Sequence, residues 1–285
     1  MHLAHIINPF EAKRSSDLFT AQPITFQSLL NARERAKNEV QVELLTAQFA
    51  GDRHMVPAGF RATADLQRSV TDLAHFEKKV RLPLIHDILQ RAYHESSAEY
   101  LIYTNVDIGL YPDFYQKVHE FIRMGHDAFI INRRRLPAIF TQVSDLNEIY
   151  RQTGKAHPGF DCFVFHRSLF PRLKLDGICI GVPFIEIAFS QNLFALAQNF
   201  KLFDKEVLTF HIGMEIFKKR LPREYFRYNR RQFRRIEKEM LPVMQLKKFP
   251  YQNRPLLLRF ITWGLHPCIP IRLALKLWWN GLFKH

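Results

Sequence analysis

Cysteine is scarce in this chain: three occur in 285 residues, Cys162, Cys179 and Cys268, with no CxxC spacing. An odd, scattered set argues against a disulfide framework and points to a reducing compartment. The 13 histidines are dispersed and lack a cysteine pattern beside them, which speaks against structural zinc. No P-loop and no GxGxxG occurs, so neither Walker-type ATP binding nor a dinucleotide Rossmann site is supported. An uninterrupted apolar run of about 20 residues, the length of a simple transmembrane helix, is also missing. Met1 to Phe10 has neither a basic start nor a long apolar stretch, so no secretory signal is read there. Negative charge is in short supply. Against 41 basic residues stand 27 acidic ones, a net charge of +14. Such an excess asks for a polyanionic neighbour: anionic lipid, nucleic acid or nucleotide phosphates.

What is present is ample apolar matter. Hydrophobic residues make up 47% of the chain and 26 are Phe, enough for a sizeable core and too much for general disorder. The length suits one large α/β domain, or a domain with an appendage. Leu3 to Ile7 reads as a first strand, with Asn8 at its carboxyl end. Thr25 to Lys37 reads as a helix, and Val40 to Phe49 as a second strand closed by Gly51-Asp52. A short helix is expected over Ala64 to Phe76 and a longer one over Leu82 to Tyr93, with Pro83 near its start. Phe114 to Met124 is helical and stops at Gly125. Asp127 to Asn132 is a strand that runs into Arg133-Arg134-Arg135, read as a solvated or phosphate-facing cluster. His157 to Asp161 is expected to turn, ahead of a buried strand at Cys162 to Phe165. Phe184 to Phe200 has helical spacing, and Lys205 to Phe210 reads as a last strand. This alternation over 1–213 predicts a mostly parallel sheet with helices on both faces.

The stretch Tyr100-Leu-Ile-Tyr-Thr-Asn-Val-Asp-Ile-Gly-Leu-Tyr-Pro-Asp113 organises the rest. It begins as a buried strand and turns polar at Thr104, Asn105 and Asp107, just before a helix. In open α/β sheets ligands bind at that carboxyl end. A carboxylate there can hold a divalent cation and, through it, a diphosphate. Asn and Asp also favour turns for their own sake.

After Gly213 the character changes. From Phe217 to Lys248 twelve basic residues face three acids, so nine of the fourteen net charges sit in one short segment. Pro255 to Phe283 is apolar and basic together, with Trp263, Trp278 and Trp279 beside Arg259, Arg272 and Lys276. The pattern predicts a catalytic-sized domain over 1–213 and a basic, largely helical extension over 214–285. Residues 217–283 would lie on an anionic membrane surface. Nucleic acid is the less favoured partner, since no DNA- or RNA-binding motif accompanies the charge.

Four stretches, YLIYTNVDIGLYPDFY, HPGFDCFVF, IGVPFIEIAF and VLTFHIG, in that order, resemble the GT-A class of nucleotide-sugar glycosyltransferases over roughly residues 1–213. The resemblance implies a GT-A-like, Rossmann-like sheet and a metal-dependent, hexosyltransferase-like activity. Asp107 fits the second acidic position of the class's Asp-x-Asp, and Asn105 stands at the first, leaving one carboxylate for the cation. His211 suits a further ligand, so Asp107 and His211 would bind Mn²⁺ or Mg²⁺. Glu186, at a helix start, matches the carboxylate base an inverting member needs, with Asp161 the second candidate. His157 is expected only to order its turn. Asn8, Asp52, Asn105, Asp107 and Arg133 would hold the donor. The implied function is transfer of a sugar from a nucleotide-diphosphate donor to a lipid-linked or cell-envelope glycan, by a protein peripheral to the cytoplasmic, inner face of a membrane. Two rival readings stand beside it. One is a non-catalytic nucleotide- or membrane-binding protein on the same fold. The other is a sugar-phosphate nucleotidyltransferase, disfavoured because residues 8–25 lack a glycine-rich basic loop.

Overall fold

The apolar strands and amphipathic helices assemble around one mixed sheet. The computed structural model describes residues 1–213, 221–250, 254–259, 275, 278 and 279. In chain order the elements are β1 (His2–Ile7), α1 (Asp17–Ala36), β2 (Gln41–Thr46), β3 (Arg61–Ala62), α2 (Val70–Leu73), α3 (Ile85–Glu95), β4 (Tyr100–Thr104), β5 (Gly109–Leu110), α4 (Phe114–Arg123), β6 (Ala128–Leu136), α5 (Leu146–Ile149), β7 (Lys155–His166), α6 (Ile185–Leu196), β8 (Phe200–Phe203), β9 (Thr209–Ile212), α7 (Arg223–Met240) and α8 (Leu256–Arg259).

The strand order is β3-β2-β1-β4-β7-β6-β9-β5, with β8 also paired to β6. β3, β2, β1 and β4 run parallel, and so do β6 with β8 and β9. β7 is antiparallel to both its neighbours, and β5 to β9. The sheet is therefore mostly parallel but mixed. Its central strands are buried on both faces, which is why β4 reads as a continuous apolar run. On one face α1 and α4 cover a core that includes Leu29, Tyr115 and Phe129. On the other, α3, α6 and α7 cover Tyr103, Phe163 and Phe189.

Several expectations change at their edges. β6 does not end at Asn132. It continues through Arg133, Arg134 and Arg135 because β7 and β9 flank it there and satisfy its backbone. Arg133 is buried, so the arginine run is no solvated cluster. His157 to Asp161 is not a turn but part of β7. The register between β6 and β7 shifts around Asn132. Pro158 falls in that irregular stretch, where a missing N–H is tolerated. α1 begins eight residues before the expected Thr25, its end closed by Ser16, whose hydroxyl accepts from the Leu18 N–H. The helix expected over Ala64 to Phe76 shrinks to the four residues of α2. The segment read as a strand from Lys205 begins only at Thr209, and β8 precedes it unforeseen.

α7 packs against the domain. Tyr225, Tyr228, Phe233, Ile236 and Met240 are buried. The Tyr225 hydroxyl meets the backbone of Lys78 and Val80, Tyr228 donates to the Gly177 carbonyl, and Asn229 bonds both backbone groups of Cys179. Cys162 and Cys179 are buried free thiols. Cys268, Trp263, Arg272, Lys276 and most of the expected interfacial segment lie outside the described residues. Among the described residues no helix is long and apolar enough to cross a membrane.

Candidate functional site

The carboxyl end of β4 is where the chain turns from buried strand to polar loop. Asp107 follows three residues later, and β5 then pairs with β9. Gly109 makes that pairing possible: a Cβ there would stand 2.2 Å from the Phe210 ring. With Phe210 pressed on Gly109, the next residue, His211, faces Asp107. His211 Nε2 lies 3.1 Å from Asp107 Oδ2.

The other ring nitrogen of His211 makes this contact informative. Nδ1 lies 3.3 Å from the Gly213 carbonyl oxygen, which can only accept, so Nδ1 carries the proton. In a neutral ring Nε2 is then a lone pair aimed at a carboxylate. Two acceptors face each other unless the ring takes a second proton or a cation joins them. A metal-ligating histidine typically gives its other N–H to a backbone carbonyl in this way. Burial pushes the Asp107 carboxyl up, but the hydrogen bond and charge of His211, with Arg133 behind, outweigh it and hold the group below its ordinary value.

Beside this pair lies a buried ionic group. Arg133 Nη1 stands 2.6 Å from Asp161 Oδ2, at ion-pair distance but too oblique for a good hydrogen bond. Asp161 is pushed up by burial and by the charge of Asp107, with Arg133 opposing. Asn105, expected to touch the donor, makes two contacts within the protein. Its Oδ1 accepts from the Tyr103 hydroxyl at 2.9 Å, and its Nδ2 lies 3.4 Å from Asp161 Oδ1. The amide thus connects β4 to β7, a job a second carboxylate beside Asp161 would do badly.

Glu186 enters from α6. It is partly accessible, and burial of its carboxyl, reinforced by Asp161, raises its pKa to about 7. Two residues before it stands Phe184, the helix N-cap, at φ 89° and ψ −15°. Among the described residues it is the one non-glycine with positive φ. Such strain persists only where the surroundings enforce it. Here the Phe184 ring packs on Phe226 and stacks on Phe233, centroids 5.1 and 5.5 Å away, both from α7.

The structure therefore brings together Asn105, Asp107, Arg133, Asp161, Glu186 and His211. Asp107, Asp161 and Glu186 put three carboxyls around one permanent cation, Arg133. A divalent ion bound there would favour the ionised form of each of these carboxyls. Asp107 and His211 supply two ligands, few for an all-protein cage, but enough where a substrate diphosphate and waters complete the shell. Among the described residues no cluster of three or more ligand-type side chains could hold a metal unaided.

Asn8 and Asp52 lie apart from this group, on the loops after β1 and β2. Asn8 donates to the Ala47 carbonyl at 2.6 Å, and Asp52 accepts from the Glu11 N–H at 2.9 Å. Both tie the two loops to each other at the carboxyl edge. His157 accepts from the Gly159 N–H and so orders its bulge. Tyr103 and Phe184 were missed in the sequence. Tyr103 looks like any aromatic of a buried strand, and left-handed backbone at a phenylalanine leaves no compositional trace.

By its strand order and site position this is an α/β protein with a mixed, mostly parallel sheet and a polar site at its carboxyl edge. The sequence matches no family model and no curated protein. Among solved structures the fold is similar to S. aureus TarS 1–349 in complex with UDP-GlcNAc, at 12% identity and a TM-score of 0.48, covering 85% of this chain and 66% of that one. It is also similar to S. aureus TarS, at 9% identity and a TM-score of 0.49, over 85% of this chain and 39% of that one. M. tuberculosis glucosyl-3-phosphoglycerate synthase follows at 11% identity and a TM-score of 0.43, over 85% and 81%. The chain spans just under two thirds of TarS 1–349 and well under half of the longer TarS chain. At these TM-scores none of the three assigns a residue or a reaction to this chain.

Proposed function

We propose that this chain is a nucleotide-sugar glycosyltransferase. The observation that carries the reading is the Asp107–His211 pair, with Nε2 and Oδ2 3.1 Å apart at the carboxyl end of β4, beside a raised carboxyl at Glu186. Asp107 and His211 would hold Mn²⁺ or Mg²⁺ against the donor's diphosphate. When bound, that ion neutralises charge developing on the leaving nucleotide diphosphate. Asn8 and Asp52 border the donor's nucleoside end. Arg133, whose Nη1 is engaged by Asp161, adds a fixed positive field within the site.

Glu186 is the base. Its carboxylate takes the proton of an acceptor hydroxyl as that oxygen bonds to the anomeric carbon. The bond from that carbon to the diphosphate breaks, and the nucleotide diphosphate leaves with the electron pair. Such a step inverts the anomeric configuration. Asp161, buried against Arg133, holds the site and is the less available base. The acceptor in this reading is a lipid-linked or cell-envelope glycan, met at the cytoplasmic face of a membrane.

Asn105 favours a second reading, a binding protein on the same fold, because it removes one acidic group from the metal side. Thermal stability against a panel of nucleotide diphosphates and nucleotide sugars, with and without Mn²⁺, separates the two. A ligand at about 100 times its dissociation constant stabilises by about 2.7 kcal/mol. A Mn²⁺-dependent shift, lost in Asp107→Ala, with sugar transfer lost in Glu186→Gln, is expected. A shift that survives Asp107→Ala unchanged contradicts the metal assignment.

A further inference from the structure

α7 has two faces, and the domain has used only one. Tyr225, Tyr228, Phe233, Ile236 and Met240 face inward. Outward stand Arg223, Arg227, Arg230, Arg231, Arg234 and Lys238, all exposed and, apart from the adjacent pair Arg230-Arg231, spaced three or four apart. A helix that lies in a bilayer normally turns its apolar face down. This one has spent that face on its own core, so what it offers outward is charge.

Its three acids do little to offset that charge. Glu224 accepts from the backbone N–H groups of Glu77 and Lys78, Glu237 is buried, and Glu239 lies 3.9 Å from Arg235. One large apolar side chain, Phe226, is exposed among the arginines. Beyond the helix Leu257, Leu258, Leu275, Trp278 and Trp279 are exposed as well. Arginines would serve a nucleic acid equally well. Aliphatic leucines gain nothing from one, but gain by entering the boundary between headgroups and acyl chains.

We propose that the outward face of α7 docks on an anionic lipid bilayer. The docked face adjoins the catalytic site: Phe226 touches Phe184, and Glu186 follows two residues on. In the glycosyl-transfer reading, on which this last point rests, the bilayer presents the acceptor to Glu186. Because the contact is charge on charge, it is salt-sensitive.

The test is co-sedimentation of the full chain with vesicles of phosphatidylcholine alone, or with about one third phosphatidylglycerol. Wild type is expected to bind the anionic vesicles, to ignore the neutral ones and to be released by high salt. Arg230→Ala/Arg234→Ala removes two exposed surface cations. It is expected to bind about thirtyfold more weakly, from roughly fivefold per basic residue near the surface. Its far-UV spectrum and nucleotide-dependent thermal shift should match wild type. Equal binding to neutral vesicles, undiminished binding by the double variant, or tighter binding to a duplex oligonucleotide than to either vesicle would each overturn the proposal. Loss of the nucleotide shift with vesicle binding intact would strike the glycosyl-transfer reading and leave docking standing.

Discussion

In the proposed transfer, Glu186 and His211 would carry the chemistry at the scale of single residues. Glu186 has its pKa raised from 4.5 to about 7 by burial. Between those two values the folded protein keeps a proton that the unfolded chain has lost. Stability therefore falls as pH rises through that window, by at most about 3 kcal/mol for a group this accessible. Glu186→Gln abolishes the fall, so its melting temperature should exceed that of wild type at pH 8 and converge with it near pH 4. The same group shapes the rate. A base must be unprotonated, so kcat/KM should climb with pH and level off above about 7. Glu186→Gln should lose transfer by roughly 10² to 10⁴ while donor binding stays as it was. The positions of both carboxylates were legible, Asp107 after an apolar strand and Glu186 at a helix start. The contacts of Asn105 were not, because Asp161 on β7 meets it only through the folded sheet.

Elements decide whether those residues meet. β5 and β9 pair over two residues only, and the pairing depends on Gly109 lying under Phe210. Gly109→Ala puts a methyl into that ring. It should cost roughly 1–3 kcal/mol as an overpacked site, and should weaken Mn²⁺-dependent donor binding more than metal-free binding, because His211 moves with Phe210. A urea titration and a metal-dependence series check the two halves. The α6–α7 contact works in the same way for Glu186. Phe233→Ala removes the ring stacked on Phe184, and with it part of what holds a left-handed phenylalanine. Transfer should suffer more than donor affinity, seen as a fall in kcat with KM for donor nearly unchanged. Strand and helix identities were largely readable here, since period and length differ between a buried five-residue strand and an eleven-residue amphipathic helix. The extension of β6 and β7 was not. Three arginines and a His-Pro-Gly run carry loop composition, and only lateral pairing to neighbours distant in sequence makes them strand.

For the whole molecule, the question is what belongs to the folded unit. Composition drew a line after Gly213, yet α7 lays five large side chains into the cores under α3 and α6. Exposing each costs about 1.5–3 kcal/mol, so a chain cut at 213 gives up about 10 kcal/mol, as much as a whole domain's net stability. It should not fold, and a chain cut after Phe249 should, as judged by a cooperative thermal transition. The apolar stripe of α7 was visible in the sequence beneath its arginines. What it would cover was not, because a helical stripe reads the same whether it faces a protein or a lipid. In the proposed function a divalent cation would join Asp107 and His211. The measurement that tests it most directly is calorimetric titration of a nucleotide diphosphate into the full chain, with and without Mn²⁺, beside Asp107→Ala and His211→Ala. Tight binding only when Mn²⁺ is present, weakened at least tenfold in both variants, is the predicted result. Binding of equal strength with and without Mn²⁺, untouched by either substitution, would contradict it.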